Sequence, residues 1–162
     1  MNKPFFKEFE IRWSDVDANR HLGNFAYINM MSHSRMSLMN QIGFGHEAMK
    51  ENGIGPILFR EEIHYFREVL PGTPLRISVA LKRVSEDFRF FSFEHRFYSD
   101  TGRNVAYGEI TGSWMNLEER RVVRPPQKLL DAIDEIPKSI DFRFFRPGEI
   151  RLEDIYPVDL EE

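Results

Sequence analysis

The sequence predicts an α+β fold in which one long helix lies against an antiparallel β-sheet, and three observations lead there. From Phe25 to Ile42 the chain has neither proline nor glycine, and apolar residues recur at spacings of three and four. After it, several segments alternate apolar and polar side chains, the pattern of half-buried strands. Those segments are joined by short turn signals at Leu70-Pro71-Gly72, Glu86-Asp87 and Asp100-Thr101-Gly102, so neighbouring strands run antiparallel. A helix followed by a run of strands is the α+β order.

Taken in order, Phe5 to Trp13 alternates and predicts a first strand, with Phe5, Lys7, Phe9, Ile11 and Trp13 on one side. Asn24 is placed to cap the helix, its side-chain oxygen accepting from a free N–H of the first turn. The predicted buried face is Phe25, Ile28, Met31, Leu38, Met39 and Ile42, and Gly43 ends the helix. Phe44 to Asn52 suits one or two further helical turns, broken by Gly53, Gly55 and Pro56. Ile57 to Val69 reads as a strand, with Phe66 an exception on its polar side.

Leu75, Ile77, Val79 and Leu81 give the clearest alternation in the chain. Phe88 to Tyr98 follows as an aromatic strand with Phe91, Phe93 and Phe97 on one face, and Val105 to Leu117 as the last long strand. Gly108 and Gly112 inside it predict a bulge or the close approach of another backbone. Pro125-Pro126 ends the sheet, and Leu129, Leu130 and Ile133 mark a short helix between Gln127 and Ile136. Residues 1–137 are read as one domain. Residues 138–162 are read as a C-terminal extension that packs on the body or on a neighbouring subunit.

Composition narrows the function. Hydrophobic residues make up 41% and aromatics 14% of the 162 residues, enough for a substantial core. A net charge of −4 offers phosphate backbones no general attraction, so nucleic acid is not an expected partner. Without cysteine there is no disulfide, thiol nucleophile or zinc–thiolate site. Charges interrupt the apolar residues of the N-terminus, and no stretch approaches the roughly 20 apolar residues of a membrane span. The expectation is a soluble cytoplasmic protein.

The chemistry concentrates in the loop before the helix. Asp15, Asp17, Asn19 and His21 occupy alternate positions there, more acid, amide and imidazole than a connection needs. At a helix N-terminus, free N–H groups and the macrodipole favour an anion or a carbonyl gaining negative charge. Asp15 suits loop hydrogen bonding, as aspartates often bond the backbone two residues on.

The stretch from Ser14 to Asp17, followed by Asn24, Tyr27 and Arg35, resembles the opening pattern of the hotdog-fold acyl thioesterases of the 4-hydroxybenzoyl-CoA thioesterase-like group. Asp17-Ala18-Asn19-Arg20-His21 is also similar to the Asp-x-Asn-x-His motif of the plant acyl-ACP thioesterases, with Gly23-Asn24 where those usually carry Asn-Asn. Arg67-Glu68 resembles their downstream Arg-Glu. The resemblance runs from about residue 5 to 136. It implies a helix wrapped by an antiparallel sheet, a dimer whose two sheets join with active sites at the interface using both chains, and acyl-CoA or acyl-ACP thioester substrates; a homodimer or homotetramer is therefore expected.

Hydrolysing a thioester takes a nucleophile or an activated water, donors for the oxyanion and a shielded acyl pocket. Asp17 is the candidate nucleophile or general base; Asn19 and His21 would position water or thioester, and Glu68 would serve as a second carboxylate if its strand end reaches the loop. Asn24, Phe25 and Tyr27 are the candidate substrate-binding residues, with backbone N–H groups near Asn24 and Phe25 as oxyanion donors. Each has a plainer alternative: Asp17 as a turn former, His21 as a satisfied loop histidine, Glu68 as an edge charge. No metal or redox cofactor is expected, because Asp15, Asp17, His21 and His33 match no metal-ligand spacing. His64 and His95 are read as packing or surface groups. Met30, Met31, Met36 and Met39 suit core packing or an acyl tunnel. Arg83, Arg89, Arg96 and Arg103 suit a phosphate contact or the surface. Two rival functions stand beside hydrolysis: a dehydratase or hydratase of 3-hydroxyacyl or enoyl thioesters, and a non-catalytic acyl-thioester binding domain.

Overall fold

In the computed structural model, which describes residues 3–151 and 155–160, the chain forms six strands and three α-helices. β1 spans Phe5–Phe9 and stops four residues short of the expected Trp13. Asp15 is the reason. Its buried carboxylate accepts from the backbone N–H of Arg12 at 2.9 Å and from the Arg12 guanidinium at 3.0 and 2.9 Å, curling Trp13–Asp15 into a 3-10 turn. Trp13 is left 89% exposed instead of sharing the strand's inner face.

α1 covers Asn24–Gln41 and begins one residue earlier than predicted. Gly23, not Asn24, is the cap residue, and no side chain bonds there. The buried face also differs: Ala26, Tyr27, Met30, Met31, Ser34, Leu38 and Met39 point inward, while Phe25 and Ile28 face outward. Apolar residues are spread around this helix, so spacing alone selected a stripe rotated from the real one. Ser34 is accommodated in the core because its hydroxyl donates to the Met30 carbonyl at 2.7 Å. Each fully buried side chain such as Leu38 contributes roughly 1.5–3 kcal/mol. Gly43, at φ +76°, ends the element as its lack of a Cβ permits. α2 is His46–Glu51.

β2 runs Ile54–Tyr65, displaced toward the N-terminus from the expected strand. Gly55 and Pro56 lie inside it, which an edge strand tolerates. With β3 at Leu75–Val84, β4 at Phe90–Tyr98 and β5 at Asn104–Asn116, the hydrogen-bonded order is β1-β3-β4-β5-β2, antiparallel throughout. Leu75, Ile77, Val79, Leu81, Phe91, Phe93 and Phe97 are buried, as their alternation requires.

Both glycines of β5 mark close approaches. A Cβ on Gly108 would lie 2.5 Å from Met31 Sδ of α1, and one on Gly112 would strike the Ile57 carbonyl oxygen of β2, beside a bulge at Leu58–Arg60. α3, Gln127–Ala132, and a 3-10 turn at Ile133–Glu135 bring Leu129 and Ile133 into the core. The chain then returns as β6, Lys138–Phe144, which pairs with β3 in parallel at Leu81–Val84. β1 takes the Leu75–Val79 half of the same β3 edge. The sheet is therefore mixed at this one edge, and residues placed by sequence outside the domain complete it. Among the described residues no helix is long and apolar enough to cross a membrane.

Candidate active site

The loop between the 3-10 turn and α1 folds into a miniature hairpin. Val16 and Leu22 form an antiparallel bridge, the Asp17 N–H donates to His21 O at 3.0 Å, and Arg20 turns the chain at φ +65°. Asp17 Oδ1 accepts from the Asn19 N–H at 2.8 Å, the turn-forming role that sequence offers as its alternative. Its other oxygen, Oδ2, stands 3.3 Å from His21 Nδ1. The carboxylate is thereby held from both sides while it and the imidazole each remain about 30% exposed.

A backbone hydrogen bond joins this loop to the chain leaving β2. Leu22 N–H donates to Val69 O at 2.8 Å, and the Phe66 and Arg67 N–H groups both reach Val105 O. The segment 66–69 is thus clamped between the loop and β5, and it forms the opposite wall of a cavity of about 370 Å³. Asp17, His21 and Leu22 line it from the loop, Asn24 and Tyr27 from α1, and Tyr65, Phe66, Arg67 and Glu68 from the far side. Glu68 lines the same cavity as Asp17 and His21 within one subunit. The Asn19 and Phe25 side chains do not line the cavity; the Phe25 ring lies over Gly23, where any Cβ would meet it.

Tyr27 is the buried floor, its ring edge-on to Tyr65 at 5.0 Å and tilted against Phe97 at 5.1 Å. Burial, with a smaller contribution from Tyr65, pushes its hydroxyl up to about 12, so it stays protonated. The first-turn N–H groups of Asn24 and Phe25 have no carbonyl partner inside the helix, whereas Ala26 N–H is taken by Gly23 O. The carboxylates of Asp17 and Glu68, the His21 imidazole and an aromatic wall thus surround one cavity at the start of α1.

The sequence model of the thioesterase-like superfamily matches residues 11–133, a span that holds the loop, α1 and the strands from β2 to β5. The chain belongs to this superfamily. Solved structures share its fold. A 1,4-dihydroxy-2-naphthoyl-CoA thioesterase from Synechocystis superposes with a TM-score of 0.73 at 16% identity, over 82% of this chain and 97% of that one. A DHNA-CoA thioesterase from Staphylococcus aureus gives 0.75 at 12% identity, over 82% and 89%. SAV2348 from Staphylococcus aureus, solved in complex with CoA, gives 0.74 at 13%, over 97% and 98%. A search of curated protein sequences returned no match.

Within this thioesterase-like chain several sequence candidates fall elsewhere. Arg83 and Arg96 are tied to Glu109 and Glu94 on the sheet face away from α1, and Arg89 pairs with Asp87. His64 is a surface group bonded to Glu62, and His33 is exposed against Phe9. His95 is wholly buried. Among the described residues no group of three or more His, Cys, Asp or Glu converges as metal ligands would. Met30 and Met31 are core, while Met36 and Met39 border a second cavity. Sequence reasoning missed Leu22, Tyr65 and Phe66 as lining residues. Phe66, the aromatic that broke the alternation of its strand, was the available signal.

Proposed function

We propose that the protein hydrolyses an acyl-CoA thioester to the free acid and CoA, with Asp17 as nucleophile or general base. The observation that carries this reading is the convergence of Asp17, His21, Glu68 and the start of α1 on one cavity. As base, Asp17 takes a proton from a water whose oxygen attacks the thioester carbonyl carbon; as nucleophile, its oxygen attacks directly and water then cleaves the mixed anhydride. In both, negative charge grows on the carbonyl oxygen and is stabilised by the N–H groups of Asn24 and Phe25. The C–S bond then breaks, and the thiolate leaves. His21, 3.3 Å from Asp17, orients the carboxylate, and Glu68 places a second carboxylate on the opposite wall, where it can order the attacking water. Asn19 acts through its backbone by holding Asp17 Oδ1. Tyr27 and Asn24 border the bound acyl group, and Phe25 shields the entrance. CoA is favoured over acyl carrier protein because the structural neighbours are CoA thioesterases by name or bind CoA.

The active unit in this proposal is a homodimer or a dimer of dimers joined through β2. That strand has β5 on one side only, runs twelve residues, and leaves Leu58, Phe59 and Tyr65 exposed, an edge that invites pairing with a second sheet. Light scattering at two or four times 19.2 kDa is the expected result, and a monomer that remains active would refute the pairing. Thiol release from short, long and aromatic acyl-CoAs, with acyl-ACP alongside, tests the reaction. Hydration of an enoyl-CoA without thiol release would replace it by the dehydratase reading. Single turnover in ¹⁸O-water tests the nucleophilic role of Asp17: label in the aspartate arises only when water opens the anhydride at the Asp17 carbonyl carbon, and trapping of the acyl-aspartate covers opening at the acyl carbon.

A further inference from the structure

A second cavity of about 180 Å³ lies farther along the seam between α1 and β2, and it shares no lining residue with the first. Its walls are apolar and adaptable: Met36 and Met39 of α1, Met49 of α2, Phe91 and Phe93 of β4, and Trp114 of β5. An apolar cavity of about 150 Å³ is large enough for benzene, so this one holds a single ring or a short acyl chain. One cation enters this apolar setting, Arg35 of α1.

Arg35 is poorly compensated. Its Nη1 lies 3.3 Å from Nε2 of His95, which is wholly buried. Burial and the Arg35 charge hold that imidazole well below its usual range, so it is a neutral acceptor and brings no negative charge. Glu61 of β2 acts on Arg35 favourably but from beyond ion-pair distance, and among the described residues no carboxylate oxygen lies within 4.0 Å of it. A guanidinium in such surroundings gains from an anion that brings its own apolar body, because the apolar wall and the charge are then satisfied together.

We propose that this cavity binds a small apolar carboxylic acid, its ring or chain among the methionines and aromatics and its carboxylate on Arg35. This is the chemical class of the acid that the proposed hydrolysis releases, and the choice of ligand rests on that reading. The site would therefore retain product, or sense it, at a place separate from Asp17. Arg35 is a binding residue here. The neutral His95 beneath it fixes the guanidinium's direction.

Benzoate is the probe, with benzamide as its neutral match in shape. Trp114 reports binding directly, and in a Trp13→Phe background it is the one remaining tryptophan. The expected result is saturable quenching by benzoate, with benzamide at least about tenfold weaker, the discrimination a charged hydrogen-bonding partner supplies. Arg35→Met should erase that preference and Arg35→Lys should restore part of it. Glu61→Gln, at an exposed position, removes a competing negative charge and should tighten benzoate while leaving benzamide unmoved; it keeps the test decisive if Arg35→Met does not fold. Benzoate binding no tighter than benzamide, a preference that survives Arg35→Met, or no quenching at millimolar benzoate would each overturn the proposal. Because binding is read without turnover, its failure leaves the hydrolysis reading untouched, and inactive protein that binds benzoate would separate the two in the other direction.

Discussion

Replacing Gly112 by alanine should damage the protein far more than the same change at Gly108, four residues away on the same strand. At Gly108 the added methyl would lie 2.5 Å from Met31 Sδ and 2.9 Å from its Cε, the free end of a flexible side chain. At Gly112 it would strike the Ile57 carbonyl oxygen of β2, with Leu58 Cδ2 at 2.9 Å and Phe91 Cε2 at 3.0 Å. Overpacking costs about 1–3 kcal/mol, and the lower chain entropy of unfolded alanine returns about 0.4–1 kcal/mol. A thioether can rotate away, so Gly108→Ala should come out near zero. A strand backbone cannot, so Gly112→Ala should lose about 1–2 kcal/mol, or roughly 3–6 °C in Tm for a chain of this size. Since β2 carries Tyr65 and leads into Glu68, pushing it off β5 should also lower activity. Urea denaturation with a thermal melt of both variants is the assay. Equal stability of Gly112→Ala and wild type, or a larger loss at Gly108, would refute this account of the two glycines.

Three further outcomes are expected. Hydrogen bonds from Arg12 hold the Asp15 carboxyl below its ordinary range, so its stabilisation is present above the unfolded value near 3.8 and is lost as pH falls through the lower folded value. Asp15→Asn should accordingly lower the urea midpoint at pH 7 and flatten the acid limb, measured between pH 7 and 2. Gly23→Ala places a methyl against the Phe25 ring, so a double-mutant cycle with Phe25→Ala should show that removing the ring relieves the Gly23 variant. Lys82 meets Glu94, Glu109, Asp141 and the Tyr107 hydroxyl; Lys82→Met leaves Glu109 and Glu94 to Arg83 and Arg96 and should cost about 1–2 kcal/mol in chemical denaturation.

What could be read in advance follows from physics that is local in sequence. Leu75 to Leu81 alternate cleanly because β3 has one face on the core, and Leu70-Pro71-Gly72 and Asp100-Thr101-Gly102 turn the chain with their own residues. Gly108 was legible as a close approach, though not the Met31 thioether that fills the space. The inner face of α1 was not legible, since Ala26 and Ser34 face inward for the room they leave. The end of β1 was lost because an aspartate two residues beyond Trp13 reaches back to Arg12. β6 was unreadable, its exposed Ile140 and charged neighbours carrying no alternation, and its place set by an open stretch of β3.

The candidate site divides the same way. Asp17, Asn19 and His21 stand out as a cluster in the chain; Asp17 and His21 lie on the cavity, while Asn19 is off its lining with its N–H bonded to Asp17 Oδ1. Leu22, Tyr65 and Phe66 join them through the Leu22–Val69 hydrogen bond, a contact across more than forty residues that no local pattern announces.

The most direct test of the central claim is thiol release from an acyl-CoA panel by wild type beside Asp17→Asn. A positioned acid or base is worth about 10²–10⁴-fold. Turnover by wild type and a fall of at least about a hundredfold in kcat/KM for a folded Asp17→Asn protein is the predicted result; full activity in that variant would contradict it.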